Sequence, residues 1–193
     1  MHRLPLLELL HRYTVAHPEE SATIERFLDF VNRHERCFER DLREGHITGS
    51  AWLVDGAGER VLLTHHRKLG RWLQLGGHSD GDPRPLRVAV NEAREESGLE
   101  VRPLSVGVFD LDVHEIPARR RDPAHLHFDV RFALQTVGSE AFRLSDESLD
   151  LAWVPIERLE EYTGEESVLR MARKWRQARP FLSDRRSSPS DGV

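Results

Sequence analysis

The chain of 193 residues has one cysteine, Cys37, so it can form no intramolecular disulfide and cannot build a cysteine-based zinc site. Such usage suits a reducing compartment. Long apolar runs are also missing. No stretch approaches the ~20 residues that span a bilayer, and the N-terminal segment reaches charge too early for a signal peptide. Nor is there surplus basic charge: 28 Lys and Arg face 33 Asp and Glu, a net charge of −5. A nucleic-acid polymer is therefore not an expected partner, because neutralising its phosphates takes an excess of cations. These absences leave a cytoplasmic location and no membrane segment as the expectation. The length suits one domain with one core.

Residues 4–44 read as two helices. Leu6, Leu7, Leu9, Leu10 and Tyr13 form one helix-spaced stripe; Ile24, Phe27, Leu28, Phe30 and Val31 form another, with Ser21 as its expected N-cap. Ile47–Val54 and Arg60–Thr64 read as strands joined in a hairpin by the turn 55–58. Trp72–Leu75 is a short strand leading into Gly76-Gly77, and 78–85 a loop. Pro85 and Gly98 bracket a helix with Leu86, Ala89, Val90 and Ala93 on its apolar face. Leu104–His114 reads as a strand, as does 125–137, where Leu126, Phe128, Val130, Phe132 and Leu134 alternate with His125, His127, Asp129, Arg131 and Ala133. Leu149–Val154 is a further strand, Pro155–Leu159 a short helix, Val168–Arg179 the last helix, and 183–193 a disordered tail. This order favours a mixed sheet with helices on both faces.

Three glutamates break the otherwise ordinary pattern. Glu92, Glu95 and Glu96 stand at i, i+3 and i+4 on the 85–97 helix, so their carboxylates crowd one edge. Like charges at that spacing cost roughly 0.2–0.5 kcal/mol per pair. A divalent cation would compensate, and Mg²⁺ or Mn²⁺ takes oxygen ligands of this kind together with phosphate oxygens. Glycine upstream lets backbone approach the ion and the phosphates. The chemistry this suits is attack of water on a diphosphate.

The segment Gly77–Leu99 resembles the Nudix box: Gly, five residues, Glu, seven residues, Arg-Glu, apolar, any, Glu-Glu, any, Gly, apolar. Glu92 falls on the first metal-binding glutamate, Glu95 and Glu96 on the Glu-Glu pair, and Gly98-Leu99 on the close. Pro83 replaces the first glutamate of the box and Asn91 its arginine, two residues that interact in the family; Asp82 or Arg94 is the candidate to take over that role. The resemblance implies a Nudix-type α/β/α sandwich over 45–182, with residues 1–44 packed on it as a helical segment. It further implies hydrolysis of a diphosphate bond in a nucleoside diphosphate derivative, with Mg²⁺ or Mn²⁺ held by Glu92, Glu95, Glu96 and the Gly77 carbonyl. For the general base it points to Glu95 or Glu96, or to an acid outside the box, for which Glu147 is the choice.

The remaining site expectations concern the small-molecule diphosphate substrate. Arg67 and Lys68 are candidates for its phosphates. His78 follows the glycine pair, and His125, His127 and Arg131 share one face of their strand, where they could line the pocket or bind a second metal. Two alternatives stay open: a module that binds a nucleotide without turnover, and an enzyme similar to isopentenyl diphosphate isomerase, which the lack of a cysteine near the glycine loop disfavours. The N-terminal helices are a candidate homodimer surface.

Overall fold

The computed structural model describes residues 2–67, 69–118, 123–144 and 148–184. Helices α1 (Leu4–Ala16) and α2 (Ser21–Arg33) come first, then strands β1 (Gly45–Val54), β2 (Arg60–His66), β3 (Arg71–Leu73) and β4 (Leu75–His78). Helix α3 (Pro85–Ser97) leads into β5 (Val101–Pro103), β6 (Asp110–Ile116), β7 (His125–Thr136) and β8 (Ser148–Pro155); a 3₁₀ turn, Ile156–Glu161, and α4 (Glu166–Asp184) follow. Ser21 is the first helical residue of α2 rather than its cap. Glu20 takes that place without a side-chain capping bond, because the preceding 3₁₀ turn Pro18–Glu20 runs straight into the helix. Of the expected strand 104–114 only 110–114 is strand, as part of β6; 104–109 leave the ladder, tied to β7 through the Leu104 and Phe109 amides.

Among the described residues eight strands make one mixed sheet. Its centre is β1, buried at all ten positions. It pairs in parallel with β7 from Gly45↔Leu126 to Val54↔Gln135, and antiparallel with β4 from Thr48↔His78 to Ala51↔Leu75. The expected β1–β2 hairpin holds only at its turn, with one pair, Val54↔Val61. Beyond it the strands part, because β1 takes β4 as its neighbour while β2 pairs with β3 and β8. On the outer side β7 carries β6 and β5.

Helices cover both faces, which makes the architecture an α/β/α sandwich. Strand alternation sends Ile47, Ala51, Phe128, Val130 and Phe132 to one face, where they join one core with Leu6 and Leu10 of α1, Ile24 and Phe27 of α2, and Ala89 and Ala93 of α3. Phe30 stacks on Phe128 with ring centroids 3.9 Å apart, and Phe27 meets the same ring edge-on. The other face carries Trp52, Val54, Val61 and Leu63 against Val168, Met171, Ala172 and Trp175, a single stripe of α4 at i, i+3, i+4 and i+7. Helix α3 ends at Gly98 in the left-handed conformation, φ 69°. No described helix is long and apolar enough to cross a membrane.

Candidate active site

The glutamates owe their position to how closely α3 can approach β1 and β4. A Cβ on Gly49 would lie 2.6 Å from the Pro85 carbonyl oxygen and 2.9 Å from Val88 Cβ, so only glycine lets the first turn of α3 settle on β1. One strand over, a Cβ on Gly77 would meet the Glu92 carboxyl carbon at 2.4 Å. The Glu92 carboxylate thus occupies the space of the missing side chain. Glu96, four residues on, is buried, and its Oε1 accepts the Gly76 N–H at 2.8 Å.

Glu92 and Glu96 are therefore offered together at the Gly76-Gly77 backbone, a cradle that any side chain at 77 would fill. Carboxylates beside a bare backbone fit a hard divalent cation. Glu95 points into solvent. Among the described residues, the groups of three whose donor atoms gather within 4.8 Å do not include the α3 glutamates. Around the two replaced box positions, Asp82 pairs with Arg87 on the first turn of α3 and accepts the Arg84 N–H. Arg94 turns away, to the Val101 carbonyl and Glu100. It is Asp82 that keeps an acid–arginine link between the loop and α3. Burial alone would raise the Asp82 pKa, but the hydrogen bonds from Arg87 and the Arg84 amide hold it below the usual carboxylate range.

The opposite face of the same strands is polar. In one row Ser50 of β1, Arg131 of β7 and Asp110 of β6 are in register; in the next stand Thr48, Asp129 and Asp112; in the third His46, His127 and His114. Arg131 is only 1% exposed, and its guanidinium binds Asp129 at 2.7 Å, Asp110 at 3.0 Å and Asp112 at 3.3 Å. Thr48 and Ser50 both donate to Asp129 Oδ1. From α4, Arg170 donates to Asp110, Asp112 and the Leu111 carbonyl. Lys174 reaches Asp110 at 2.6 Å and Glu20 at 2.5 Å. Burial would raise the Asp110 and Asp112 carboxyls; hydrogen bonds from Arg170 and His114, with the nearby cations, hold both below the usual range.

In the histidine row, the His46 ring lies 4.7 Å from His127, 5.0 Å from His125 and 5.0 Å from His78, centroid to centroid. His46 is 2% exposed and, among the described residues, neither of its ring nitrogens has a hydrogen-bond partner; nor does the buried Nε2 of His127. Burial, then the neighbouring histidines, pushes His46 down to about 4 and His127 down to about 2. Both rings are neutral at physiological pH.

The residues expected from sequence are distributed as follows. Gly77, Glu92 and Glu96 come together, with Glu95 on the solvent side of the same helix. His78, His125 and His127 come together across β4 and β7. Arg131 belongs under the floor and not in the pocket, because three carboxylates enclose its guanidinium and leave it no open face for substrate. Arg67 is exposed in the turn after β2. Lys68 and Glu147 lie outside the described residues, as do positions 185–193 of the expected tail; 183 and 184 complete α4. Sequence reasoning passed over His46. Its signal was the alternation His46, Thr48, Ser50 against Ile47, Gly49, Ala51, which continues the strand two residues before Ile47 and mirrors the pattern in β7.

A family model described as NUDIX domain matches residues 46–175. No curated protein sequence matches the chain significantly. Among solved structures, a NUDIX-family hydrolase from Clostridium perfringens is 23% identical, with a TM-score of 0.56 over 70% of this chain and 97% of that one. The MutT protein from Methanosarcina mazei Go1 is 19% identical, TM-score 0.57, over 72% and 97%. An ADP-ribose pyrophosphatase from Streptococcus suis is 18% identical, TM-score 0.50, over 69% and 91%. At such identities the likeness to these structures is one of fold.

Proposed function

The chain belongs to the Nudix family, and from that membership we propose that it hydrolyses a diphosphate bond in a nucleoside diphosphate derivative, a nucleotide, nucleotide sugar or similar compound, with Mg²⁺ or Mn²⁺. The observation that carries the reading is the placement of the Glu92 and Glu96 carboxylates at the bare backbone of Gly76-Gly77. Glu92, Glu95, Glu96 and the Gly77 carbonyl would hold the cation, and Glu95 or Glu96 would take the proton from the attacking water. When bound, the cation neutralises charge on the phosphates and lowers the pKa of a coordinated water. Arg67 and Lys68 would steady phosphate oxygens by forked or point-charge contacts. Glu147 is retained as a further candidate base.

The test is release of phosphate products from a panel of nucleoside diphosphate derivatives, with and without Mg²⁺ or Mn²⁺. Wild-type protein should turn over at least one of them only when metal is present. The Glu95→Gln, Glu96→Gln double variant should lose that turnover, and full activity in it would sink the assignment. Pro83 and Asn91, where the family box has Glu and Arg, favour one second reading: a module that binds a nucleotide without cleaving it. Tight nucleotide binding with no turnover in either metal would select that reading.

A further inference from the structure

We propose that the chain carries a second metal site, separate from the glutamates, in which His46, His125 and His127 bind a transition-metal ion of the Zn²⁺ type. One donor nitrogen from each of these three residues lies within 4.8 Å of the others. They come from two strands in parallel register, His46 directly opposite His127 and His125 two residues before it on the same face. The arrangement therefore rests on the centre of the sheet and not on a loop. His78 lies on the adjoining strand β4, its ring 5.0 Å from His46 and 5.2 Å from His127.

Hydrogen bonding identifies what these rings are prepared to do. A ring as buried as His46 normally finds a partner for each nitrogen, and here neither has one among the described residues. His127 keeps its Nε2 unpaired as well. The Nδ1–H of His125 donates to the Pro123 carbonyl at 2.9 Å, and since a carbonyl can only accept, the lone pair is left on Nε2. Fixing the tautomer from behind in this way is how metal-binding imidazoles are held. Opposite His127 in β6, His114 donates through Nδ1 to Asp112 at 2.9 Å, which places a further ring, this one backed by a carboxylate, 5.4 Å from His127.

Charge and donor type set the class of ion. The carboxylate network beneath the cluster joins Asp110, Asp112, Asp129 and Glu20 to Arg131, Arg170 and Lys174, four negative groups against three positive, so a cation is welcome above it. Imidazole donors suit Zn²⁺ and its transition-metal neighbours, whereas Mg²⁺ and Ca²⁺ take oxygen. Zn–N bonds of about 2.0–2.1 Å put tetrahedral donors roughly 3.4 Å apart, so side-chain rotations drawing the nitrogens together by on the order of 1 Å complete the site. Three histidines leave the fourth position for water, for His78 or for a ligand oxygen.

The site is tested on the untagged full-length chain, stripped of metal, with Zn²⁺ titrated calorimetrically and Co²⁺ followed by its visible absorption. The expected result is one Zn²⁺ per chain, retained in excess Mg²⁺, and the intense visible bands of tetrahedral Co²⁺. His46→Asn and, separately, His125→Asn should each weaken Zn²⁺ binding at least tenfold, while Glu92→Gln with Glu96→Gln leaves it unchanged. His125 is only half-buried, so its variant decides the matter should His46→Asn unfold on circular dichroism. Wild-type affinity equal to that of the folded His125→Asn variant, or Zn²⁺ binding that vanishes with the glutamates, would overturn the proposal. Because the readout is binding, it is independent of whether the glutamate site supports hydrolysis.

Discussion

The Glu92 carboxylate lies where the side chain of Gly77 would be: a Cβ on Gly77 would come within 2.4 Å of its carboxyl carbon. The atom in the way is the mobile end of a glutamate, so the fold can absorb an alanine there by moving the carboxylate. Gly77→Ala should leave the unfolding free energy within about 1 kcal/mol of wild type. It should raise the Mg²⁺ concentration for half-maximal activity by roughly tenfold or more, as expected when a metal ligand loses its support. Gly49→Ala is the contrast. Its Cβ meets the Pro85 carbonyl and Val88 Cβ, which cannot swing aside, so a loss of about 1–3 kcal/mol is expected in urea unfolding. Wild-type Mg²⁺ dependence in Gly77→Ala would remove Glu92 from the site.

Arg131 makes a second case in which position decides the effect. Its guanidinium neutralises Asp129, Asp110 and Asp112 in the interior. Replacing it with methionine keeps much of the volume and leaves two deeply buried aspartates short of a cation. A loss of about 3–5 kcal/mol in urea unfolding is expected, the usual cost of breaking a buried ion pair from one side. If Arg131 served only to contact substrate, stability would change by less than about 0.5 kcal/mol and KM would rise instead.

The same network fixes the sign of the acid response. Asp110 is held below the usual carboxylate range, since Arg170, Arg131 and Lys174 outweigh the opposing effect of its burial. Above the unfolded value of about 3.9 the carboxylate is ionised in both states and its pairing is fully felt. As pH falls below that value the unfolded chain takes up the proton first, and stability drains away until the folded group is protonated too. Urea midpoints measured from pH 6 down to pH 2 should therefore fall steeply below pH 4. The gap between wild type and Asp110→Asn should narrow over the same range, and a constant gap would remove Asp110 from the acid response.

How much of this could be read in the chain depends on how local each signal is. The ends of α3 were legible because Pro85 and Gly98 act within one turn of backbone. Strand β7 is legible in its alternation, but its polar face reads as a pocket lining throughout. Asp129 is buried because Thr48 and Ser50 arrive from β1, and Arg131 because Asp110 and Asp112 arrive from β6, and nothing in residues 125–137 announces those elements. The hairpin expectation failed past one residue pair for a similar reason, since β4 and β8, distant in sequence, compete for the two strands. His46 was missed because one histidine at a strand end carries little meaning until the parallel register sets it against His127.

Cys37 offers a check that bears directly on mechanism. It is fully buried in the core with α1 and α2, and burial pushes its thiol up to about 12. At pH 8 its thiolate fraction would be roughly a thousandfold below that of a free cysteine with pKa about 8.5. A thiol reagent should leave the native chain unmodified over minutes and titrate one thiol per chain in denaturant. Rapid modification of native protein would place Cys37 at the surface. Such protection would exclude Cys37, the chain's one cysteine, as nucleophile or proton donor, and would weigh further against the isomerase alternative.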